Sequence, residues 1–401
     1  MKICLISAFY NPYIRGGAEI YVERIANRLI KDNEIIIITT KPYTGYSSFK
    51  PTLEIQNNIK IYRFYPLNIY YGLNFHKKPS FIKPIWHLID LWNPHTYFVV
   101  KEIIKKEEPD VIHTHNLRNL STSAFSAIAS TNIPHIHTIH DYVLMNRWNL
   151  LRNMKIVTKF DFFDKQYMKI MKHLTSSTDI ALAPSQFVLD MHTKNEYFSN
   201  SKCIKLPLGI ELSDEKNEKI YETIDILYVG GLSRHKGVHI LINAFKNLKQ
   251  KNIKLHIVGK GADEEEFKKI AGSDKRIIFH GFVPDEELMR LYQKANVTVV
   301  PSIWYDNSPM VIYESLMNGT PVIGSRIGGI PELVEEGYNG FLFEAGNVDE
   351  LREILENLIK NPSELKRLEE GAFESVKKYE MDEHIRKLEE LYREVQGGDN
   401  G

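Results

Sequence analysis

Cysteine, long apolar runs and metal-binding motifs are scarce in this chain of 401 residues. Its two cysteines, Cys4 and Cys203, are too few for a disulfide framework and lack any metal-ligand spacing. No stretch approaches the roughly 18 consecutive apolar residues of a membrane span, and the N-terminus has one lysine before a short β-branched run. We therefore expect neither a membrane span nor a signal peptide, and we expect a cytoplasmic protein.

The composition is typical of a globular protein. Apolar residues make up 43% of the chain, charged residues 25% and aromatic residues 11%. These values exclude the disordered, collagen-like and coiled-coil classes. The chain is also too long for a single hydrophobic core, so we expect two domains.

The formal net charge is zero, but the charges are unevenly distributed. Residues 1–206 carry 26 Lys and Arg against 16 Asp and Glu, whereas the remainder carries 25 against 35. A basic first half favours an anionic partner, such as a phospholipid surface, a lipid diphosphate or an acidic glycan. The alternative is an incidental difference between two solvated surfaces.

Short β-branched runs alternate with amphipathic helical stretches, and the series occurs twice. This alternation predicts an α/β protein with two doubly wound parallel sheets and a ligand cleft between the domains. A polar segment at about 207–220 is the predicted linker. The first series contains KICLIS, EIIIITT, DVIHTH, IPHIHTIH and IALAPS, and the second contains DILYVG, KLHIVG, RIIFHGF, VTVVPS and TPVIGS.

Two segments do not follow this alternation. Residues 62–98 contain eleven aromatic side chains, and residues 142–173 contain seven basic and two acidic side chains. Lys165, Lys169 and Lys172 would share one helical face. Both segments are interpreted either as an extended insertion of the first domain or as an acceptor-binding or membrane-surface patch.

The stretch VTVVPSIWYDNSPMVIYESLMNGTPVIGS, residues 297–325, predicts a strand and then a helix. Asn307 or Ser308 suits the N-cap, Pro309 the first helical position and Gly319 the C-terminal cap. Free amides at the start of such a helix suit a phosphate. The amides expected there are those of Ser308, Met310 and Val311.

Two carboxylates flank this predicted helix start. Asp306 precedes it and Glu314 follows about one and a half turns inside, a spacing that would let one carboxylate meet a sugar and the other a ribose diol. A solvated helix with an acidic residue near its N-terminus is the alternative interpretation.

Two further loops have the residues of an anion site. The segment YVGGLSRHKG places Arg234 and Lys236 on a glycine-containing turn after a strand, where they could neutralise phosphates. Gly16 and Gly17 lie between the first strand and its helix and permit close approach of an anion. A basic surface loop and a tight turn are the respective alternatives.

Several histidines occur at strand ends. His113, His115, His137, His140 and Asp141 could resemble a metal site, but no recognised ligand spacing joins them. We expect no metal there, and a hydrogen bond from His140 to a sugar hydroxyl is the preferred interpretation.

In order and spacing, these segments resemble the retaining glycosyltransferases of the GT-B fold, in the large family 4 group. The resemblance covers nearly all of the chain. It is carried by GGAE at 16–19, DVIHTH at 110–115, IHD at 139–141, APS at 183–185, PLGIE at 207–211, VGGLSRHKG at 229–237, IVGKG at 257–261, GFVPDEEL at 281–288, the 301–325 stretch and GGIPELVEEGYNGFLF at 328–343.

The resemblance implies an N-terminal acceptor-binding Rossmann-like domain, residues 1–206, and a nucleotide-sugar-binding domain, residues 207–380. Residues 381–401 would form a last helix that returns to the first domain. His115, Gly16 and Gly17 would contact the acceptor, and Gly17 would also contact the donor.

The resemblance also assigns roles in the donor site. Asp306 would bind the donor sugar and Glu314 the ribose hydroxyls, with Asp306 a shorter arm than the more usual Glu. Lys236 matches the family's lysine, whereas Gly231 stands where an arginine is usual, so Arg234 would have to replace it. His140, Lys236 and Asp306 are the predicted catalytic residues, and the predicted donor contacts also include Phe282, Val283, Ser308, Met310 and Val311.

The implied reaction is transfer of a hexose from a UDP- or GDP-sugar to a hydroxyl of a glycan or lipid-linked acceptor, in cell-envelope or exopolysaccharide synthesis. The chain contains no Asp-x-Asp motif, so we expect no metal ion and no cofactor. We expect no nucleic-acid partner, and peripheral association with an anionic membrane is a further hypothesis. Competing interpretations are a sugar-nucleotide epimerase, a phosphorylase with a pyridoxal cofactor, and a non-catalytic sugar-nucleotide-binding protein.

Overall fold

Two units of parallel sheet and helix form the protein in a computed structural model, which describes residues 1–152, 155–212 and 219–397. Unit 1 comprises Met1–Leu150, Val157–Pro207 and the segment from Asp382, and unit 2 comprises Leu151–Ile156 and Leu208–Met381. Residues 213–218 of the predicted linker and 398–401 of the predicted last segment lie outside the described residues. In the described ranges, no helix is long and apolar enough to cross a membrane.

Unit 1 contains an eight-stranded sheet. Its inner strands are rich in Ile, Val and Thr and are buried on both faces, as expected for parallel strands covered by helices, whereas its two edge strands are largely exposed. The chain forms β1 (Lys2–Ile6), β2 (Glu34–Thr40), β3 (Thr52–Gln56), β4 (Ile59–Phe64), β5 (Val111–Thr114) and β6 (His135–Thr138), then a short antiparallel ribbon of β7 (Leu151–Arg152) and β8 (Lys155–Ile156), then β9 (Ile180–Ala183) and β10 (Lys202–Lys205).

The order in this sheet is β10-β9-β6-β5-β1-β2-β4-β3, and every pair is parallel except β3 with β4. The strand β2 lies on one side of β1, and after β4 the chain returns to form β5 on the other side of β1. The loops that follow β1 and β5 therefore diverge at the carboxyl edge, the location where open parallel sheets bind ligands.

The helices of unit 1 account for the two segments that break the βα alternation. Residues 62–98 contain the end of β4 and two helices, the second capped by Asn93, whose side chain accepts from the amides of His95 and Thr96. Residues 142–173 contain most of one further helix. The helices are α1 (Gly17–Leu29), α2 (Lys83–Leu91), α3 (Pro94–Glu107), α4 (Ser123–Ala129), α5 (Phe162–Thr175) and α6 (Gln186–Thr193).

Unit 2 contains a six-stranded parallel sheet in the order β13-β12-β11-β14-β15-β16. Its first strand lies in the middle, so the order reverses between β11 and β14. The strands are β11 (Ile224–Val229), β12 (Ile253–Val258), β13 (Ile277–Gly281), β14 (Val297–Val300), β15 (Val322–Ser325) and β16 (Gly340–Phe343), and the helices are α7 (Val238–Lys246), α8 (Glu264–Ala271), α9 (Asp285–Lys294), α10 (Met310–Met317), α11 (Val348–Lys360) and α12 (Pro362–Val376).

The last helix, α13 (Met381–Gly397), belongs to unit 1 from Asp382 onward. Its buried face is anchored by polar contacts as well as apolar ones. The Tyr392 hydroxyl lies 2.8 Å from Nδ1 of His113 on β5, and Nε2 of His384 lies 2.9 Å from the Tyr21 hydroxyl on α1. All four side chains are buried and therefore have lost their hydrogen bonds to water. The two hydrogen bonds between them replace those lost on folding.

We predict that Tyr392→Phe lowers the free energy of unfolding of unit 1 by about 1–3 kcal/mol, because it leaves a buried His113 nitrogen without a partner. Urea denaturation followed by circular dichroism measures the change. Tyr338→Phe, at a side chain that is 42% exposed, is the matched control and should be neutral. Equal stability of the two variants would contradict the anchoring role.

Candidate functional site

The carboxyl edge of the unit 2 sheet holds the predicted donor residues. Adjacent strands β11 and β14 lead into loops that turn in opposite directions, which leaves a crevice at their ends. Lys236 lies in the loop after β11, and Asp306 lies in the loop after β14. The sheet order alone therefore brings together side chains that are 70 residues apart in the sequence.

Glycine shapes the first of these loops. Gly237 has a φ of +74°, and a Cβ at this position would lie 1.7 Å from the carbonyl oxygen of Pro301. Only glycine therefore fits where the loop after β11 packs on the end of β14. The close approach positions Lys236, the preceding residue, above the switch between the two strands.

Lys236 and Asp306 form an ion pair. Nζ of Lys236 lies 2.5 Å from Oδ1 of Asp306, and the Ser302 hydroxyl donates to the other carboxylate oxygen. Asp306 is 6% exposed, so both of its oxygens need such partners. Lys236 retains more exposure, and its Nζ also lies 5.9 Å from the centre of the Trp304 ring.

A second glycine holds the backbone of Asp306. Gly328 has a φ of +63°, and a Cβ there would lie 2.4 Å from the Asp306 carbonyl oxygen. The amide of Gly329 donates to that oxygen at 2.7 Å. The GGIPE segment is therefore part of the support of this carboxylate.

The start of α10 differs from the prediction. The helix begins at Met310, and Pro309 is the N-cap rather than the first helical residue. No side chain caps the helix, so the prediction of Asn307 or Ser308 as N-cap is wrong. The Ser308 hydroxyl instead lies within hydrogen-bond distance, 2.7 Å, of the Tyr313 hydroxyl. The local sequence did not indicate this contact.

The early amides of α10 are those of Met310 and Val311, which precede the first intrahelical hydrogen bonds. The Ile312 amide donates to the Pro309 carbonyl at 3.0 Å. At the far end Gly319 has a φ of +64°, the conformation expected of a glycine after a helix.

Glu314 lies within α10 and has a partner that the sequence did not indicate. The Tyr292 hydroxyl, from the last turn of α9, donates to Oε2 of Glu314 at 3.1 Å. Burial and this carboxylate raise the pKa of Tyr292, so the phenol remains a donor. The contact helps to fix the direction of the Glu314 side chain.

The remaining predicted donor residues have differing surroundings. The guanidinium of Arg234 pairs with both oxygens of Glu266 on α8, at the surface, so Lys236 alone of the two cations contacts Asp306. Phe282 is 76% exposed, whereas Val283 is buried against Leu227 and Tyr292.

The predicted residues of unit 1 lie at its own switch between β1 and β5. Gly16 is the N-cap of α1, and its amide donates to Oε2 of Glu19 at 2.7 Å, while Gly17 is the first helical residue. Both glycines are exposed. The amide of Gly16 is thus occupied by a side chain of its own helix.

Two of the predicted histidines of unit 1, His113 and His115, are buried and hydrogen-bonded, whereas His140 is half-buried. His115 is 1% exposed, and its Nδ1 lies 3.1 Å from Nε2 of His140. The contact joins the predicted acceptor residue His115 to the predicted catalytic residue His140, and the acceptor role of His115 stays a prediction. His113 bonds to Tyr392 and Thr138 hydroxyls.

Burial lowers the pKa of His140 to about 4, so its ring is neutral near pH 7 and can donate or accept a single hydrogen bond. Among the described residues, no group of three or more His, Cys, Asp or Glu side chains has an arrangement that could hold a metal ion.

Two family models match the chain, one to each half. Residues 15–214 match Glycosyltransferase Family 4, and residues 210–375 match Glycosyl transferases group 1. Together they span the predicted residues of both units.

Relatives match along most of the chain. A protein of Methanocaldococcus jannaschii described as an uncharacterized glycosyltransferase is 29% identical over 400 residues, which cover 98% of this chain and 99% of that protein. A 42.6 kDa protein from the cps region of Klebsiella pneumoniae is 26% identical, with 83% and 87% covered.

Solved structures have the same fold. Sucrose-phosphate synthase from Thermosynechococcus elongatus superimposes with a TM-score of 0.78 at 19% identity, covering 99% of this chain and all of that chain. The Anabaena protein HepE, solved with UDP, gives a TM-score of 0.71 at 18% identity, covering 98% and 100%. With both family models and these relatives in agreement, the chain belongs to the family 4 glycosyltransferases of GT-B fold.

Proposed function

We propose that this glycosyltransferase transfers a hexosyl group from a UDP- or GDP-sugar to a hydroxyl of a glycan or lipid-linked acceptor. The proposed transfer retains the anomeric configuration and needs no metal ion. The observation that carries the proposal is the meeting of Lys236, Asp306 and the start of α10 at the β11–β14 switch.

The groups at this switch suit the charge that develops in the reaction. Cleavage of the anomeric bond leaves negative charge on the departing diphosphate, and the Lys236 ammonium and the amides of Met310 and Val311 can stabilise it. These groups are held in place before the reaction, so little reorganisation is needed. They supply the charge stabilisation that a divalent ion gives in other enzymes.

Asp306 and Glu314 serve the two ends of the donor in this proposal. Asp306, held by Lys236 and Ser302, binds the sugar hydroxyls, and Glu314, oriented by Tyr292, binds the ribose diol. Retention follows if the acceptor hydroxyl attacks from the side of the leaving group and transfers its proton to a phosphate oxygen. Neutral His140 hydrogen-bonds the transferred sugar without adding charge.

The comparisons support the substrate class. HepE was solved with UDP, with UDP-glucose, and with UDP and glucose, and TarM was solved with UDP and α-GlcNAc-glycerol. Two relatives lie in the cps region of Klebsiella pneumoniae, which favours a role in polysaccharide synthesis.

Liquid chromatography with mass spectrometry on a panel of nucleotide-sugars, each incubated with the protein alone, tests for slow hydrolysis. Epimerised donor in place of hydrolysis would favour the epimerase interpretation.

We predict that Lys236→Gln lowers the rate of donor turnover by about 100-fold or more, because the leaving diphosphate loses its ammonium partner. EDTA should leave the wild-type rate unchanged. The exposed Lys249→Gln has the same charge change and should retain full turnover. Thermal denaturation checks folding, since Asp306 loses a partner. Turnover abolished by EDTA and restored by Mg²⁺ would contradict metal independence.

Glu314→Gln should weaken binding of UDP or GDP about tenfold, because a charged acceptor of the ribose diol becomes a neutral one. Tyr292→Phe should weaken binding less, about two- to fivefold, because it removes the hydrogen bond that orients Glu314 but leaves the carboxylate itself. Isothermal titration calorimetry measures both. Glu370→Gln, at an exposed position on α12, is the control, and equal affinity in all four proteins would refute the ribose assignment.

We also propose peripheral association with an anionic bilayer through α2. Ile85 and Leu88 on α2 are 53% and 69% exposed, and Phe81 just before the helix and Trp92 just after it are 78% and 48% exposed, so together they form an apolar stripe, while Trp86 of the same helix is buried. The stripe would insert into the headgroup region.

The charge around this stripe complements an anionic surface. Residues 55–89 contain no Asp or Glu, and Lys77, Lys78 and Lys83 are close to the stripe in the sequence. Each basic residue near such a surface contributes about 1 kcal/mol, and each inserted apolar side chain contributes an amount of similar order. The sum permits reversible association.

Flotation with vesicles of phosphatidylglycerol and phosphatidylcholine tests this proposal. The wild type should float at low salt and less at high salt. Leu88→Ser together with Phe81→Ser should abolish flotation, whereas Ile220→Ser, an equally exposed apolar position in unit 2, should not. Wild-type protein that stays at the bottom at low salt would refute the association.

A further inference from the structure

The carboxyl edge of the unit 1 sheet carries a group of cations that neither the donor site nor the histidine group uses. The loop after β5 contains Arg118, and the loop after β6 contains Arg147. The amide of Ala8, after β1, donates to the carbonyl of Asn116 at 2.7 Å, so the loops at this switch point are in contact. The location corresponds to where an open parallel sheet binds its ligand.

Arg118 lies against aromatic rings. Its guanidinium carbon is 5.1 Å from the centre of the Phe75 ring and 5.9 Å from that of Trp86. Within the described ranges, no carboxylate or carbonyl accepts a hydrogen bond from this guanidinium. Burial lowers the pKa of Arg118, and the charge of Arg15 lowers it further.

Arg147 and His87 adjoin this group. The Arg147 guanidinium lies 5.8 Å from the Trp148 ring centre, and the His87 ring packs 5.3 Å from the same ring. Nε of Arg147 and Nε2 of His87 are both buried and have no hydrogen-bond partner among the described residues. Burial and the charges of Arg118, Arg147 and Lys83 lower the pKa of His87 to about 3.

The nearby carboxyl groups do not neutralise these cations by contact. Oδ1 of Asp90 accepts from the Asn119 amide, and burial raises the pKa of Asp90 to about 7. Oδ1 of Asp141 accepts from the Val143 amide, and burial raises its pKa also. The Tyr167 hydroxyl, the other acidic group facing the cations, donates to the Val143 carbonyl.

Two other guanidinium groups of this chain, one buried and one half-buried, are arranged differently. Arg63 pairs with Glu54 and donates to the carbonyl of Tyr10. Arg276 pairs with Asp274 and donates to the carbonyl of Leu248. Arg118 and Arg147 thus lack the partners that a purely structural arginine has here, although their planar donor forks match an oxyanion.

We propose that Arg118 and Arg147, with His87, bind an oxyanion carried by the acceptor, either a phosphate ester or a sugar carboxylate. The inference rests on the proposed function, since it names the chemical class of the acceptor. The rings of Phe75, Trp86 and Trp148 pack against the two guanidinium groups and hold them in place. Neutral His87 adds one hydrogen bond to the anion through Nε2.

Titration calorimetry on the full chain tests the site with two probes, geranyl diphosphate for the phosphate arm and methyl glucuronide for the carboxylate arm. Saturating UDP or GDP keeps the probes out of the donor site. We expect one probe to bind the wild type, with affinity reduced about tenfold or more in Arg118→Gln and in Arg147→Gln. Lys105→Gln, an exposed lysine of the same unit, should bind like the wild type.

Arg118→Lys keeps the charge but loses the fork, so it should bind more weakly than the wild type while remaining folded. Failure of both probes to bind the wild type, or equal affinities in the Arg118, Arg147 and Lys105 variants, would overturn the proposal. Failure of every nucleotide to bind would overturn the proposed donor instead, and the two results are distinguishable.

Discussion

The ion pair between Lys236 and Asp306 depends on the sheet order of unit 2 and on two glycines. The order places the ends of β11 and β14 side by side, and Gly237 and Gly328 permit the backbone approaches that bring the two side chains within hydrogen-bond distance. A buried carboxylate without this cation would be unfavourable, so the loop after β14 has one stable arrangement. The start of α10, which follows directly, takes its position from that loop.

Much of this architecture could be predicted from the sequence, because β-branched runs and glycine turns are local signals. The carboxylates at 306 and 314 and the lysine at 236 were predicted from local spacing together with the family resemblance, and the structure brings Lys236 and Asp306 into contact. The Tyr292 contact, the Arg234–Glu266 pair and the start of α10 at Met310 were not, since each depends on which elements become neighbours in space. A local sequence pattern carries no information about such partners.

The two faces of α2 link the two proposals made for unit 1. Trp86 and His87 line the cation group, while Leu88, and Phe81 just before the helix, are exposed. A helix that contacted a bilayer through one face would present the other to the headgroup of a bound lipid. A lipid-linked acceptor with an anionic group could contact both the exposed apolar stripe and the cation group. Such an acceptor is consistent with the positive charge of residues 1–206.

The placement of α13 affects the order in which the chain can fold as it is synthesised. The main part of unit 2, Leu208–Met381, is continuous and leaves the ribosome before α13 does. Most of unit 1 precedes unit 2, but Tyr21 and His113 cannot be buried against their partners until α13 emerges. Although domains generally fold in the order of their synthesis, the first unit of this protein is therefore the last to be completed.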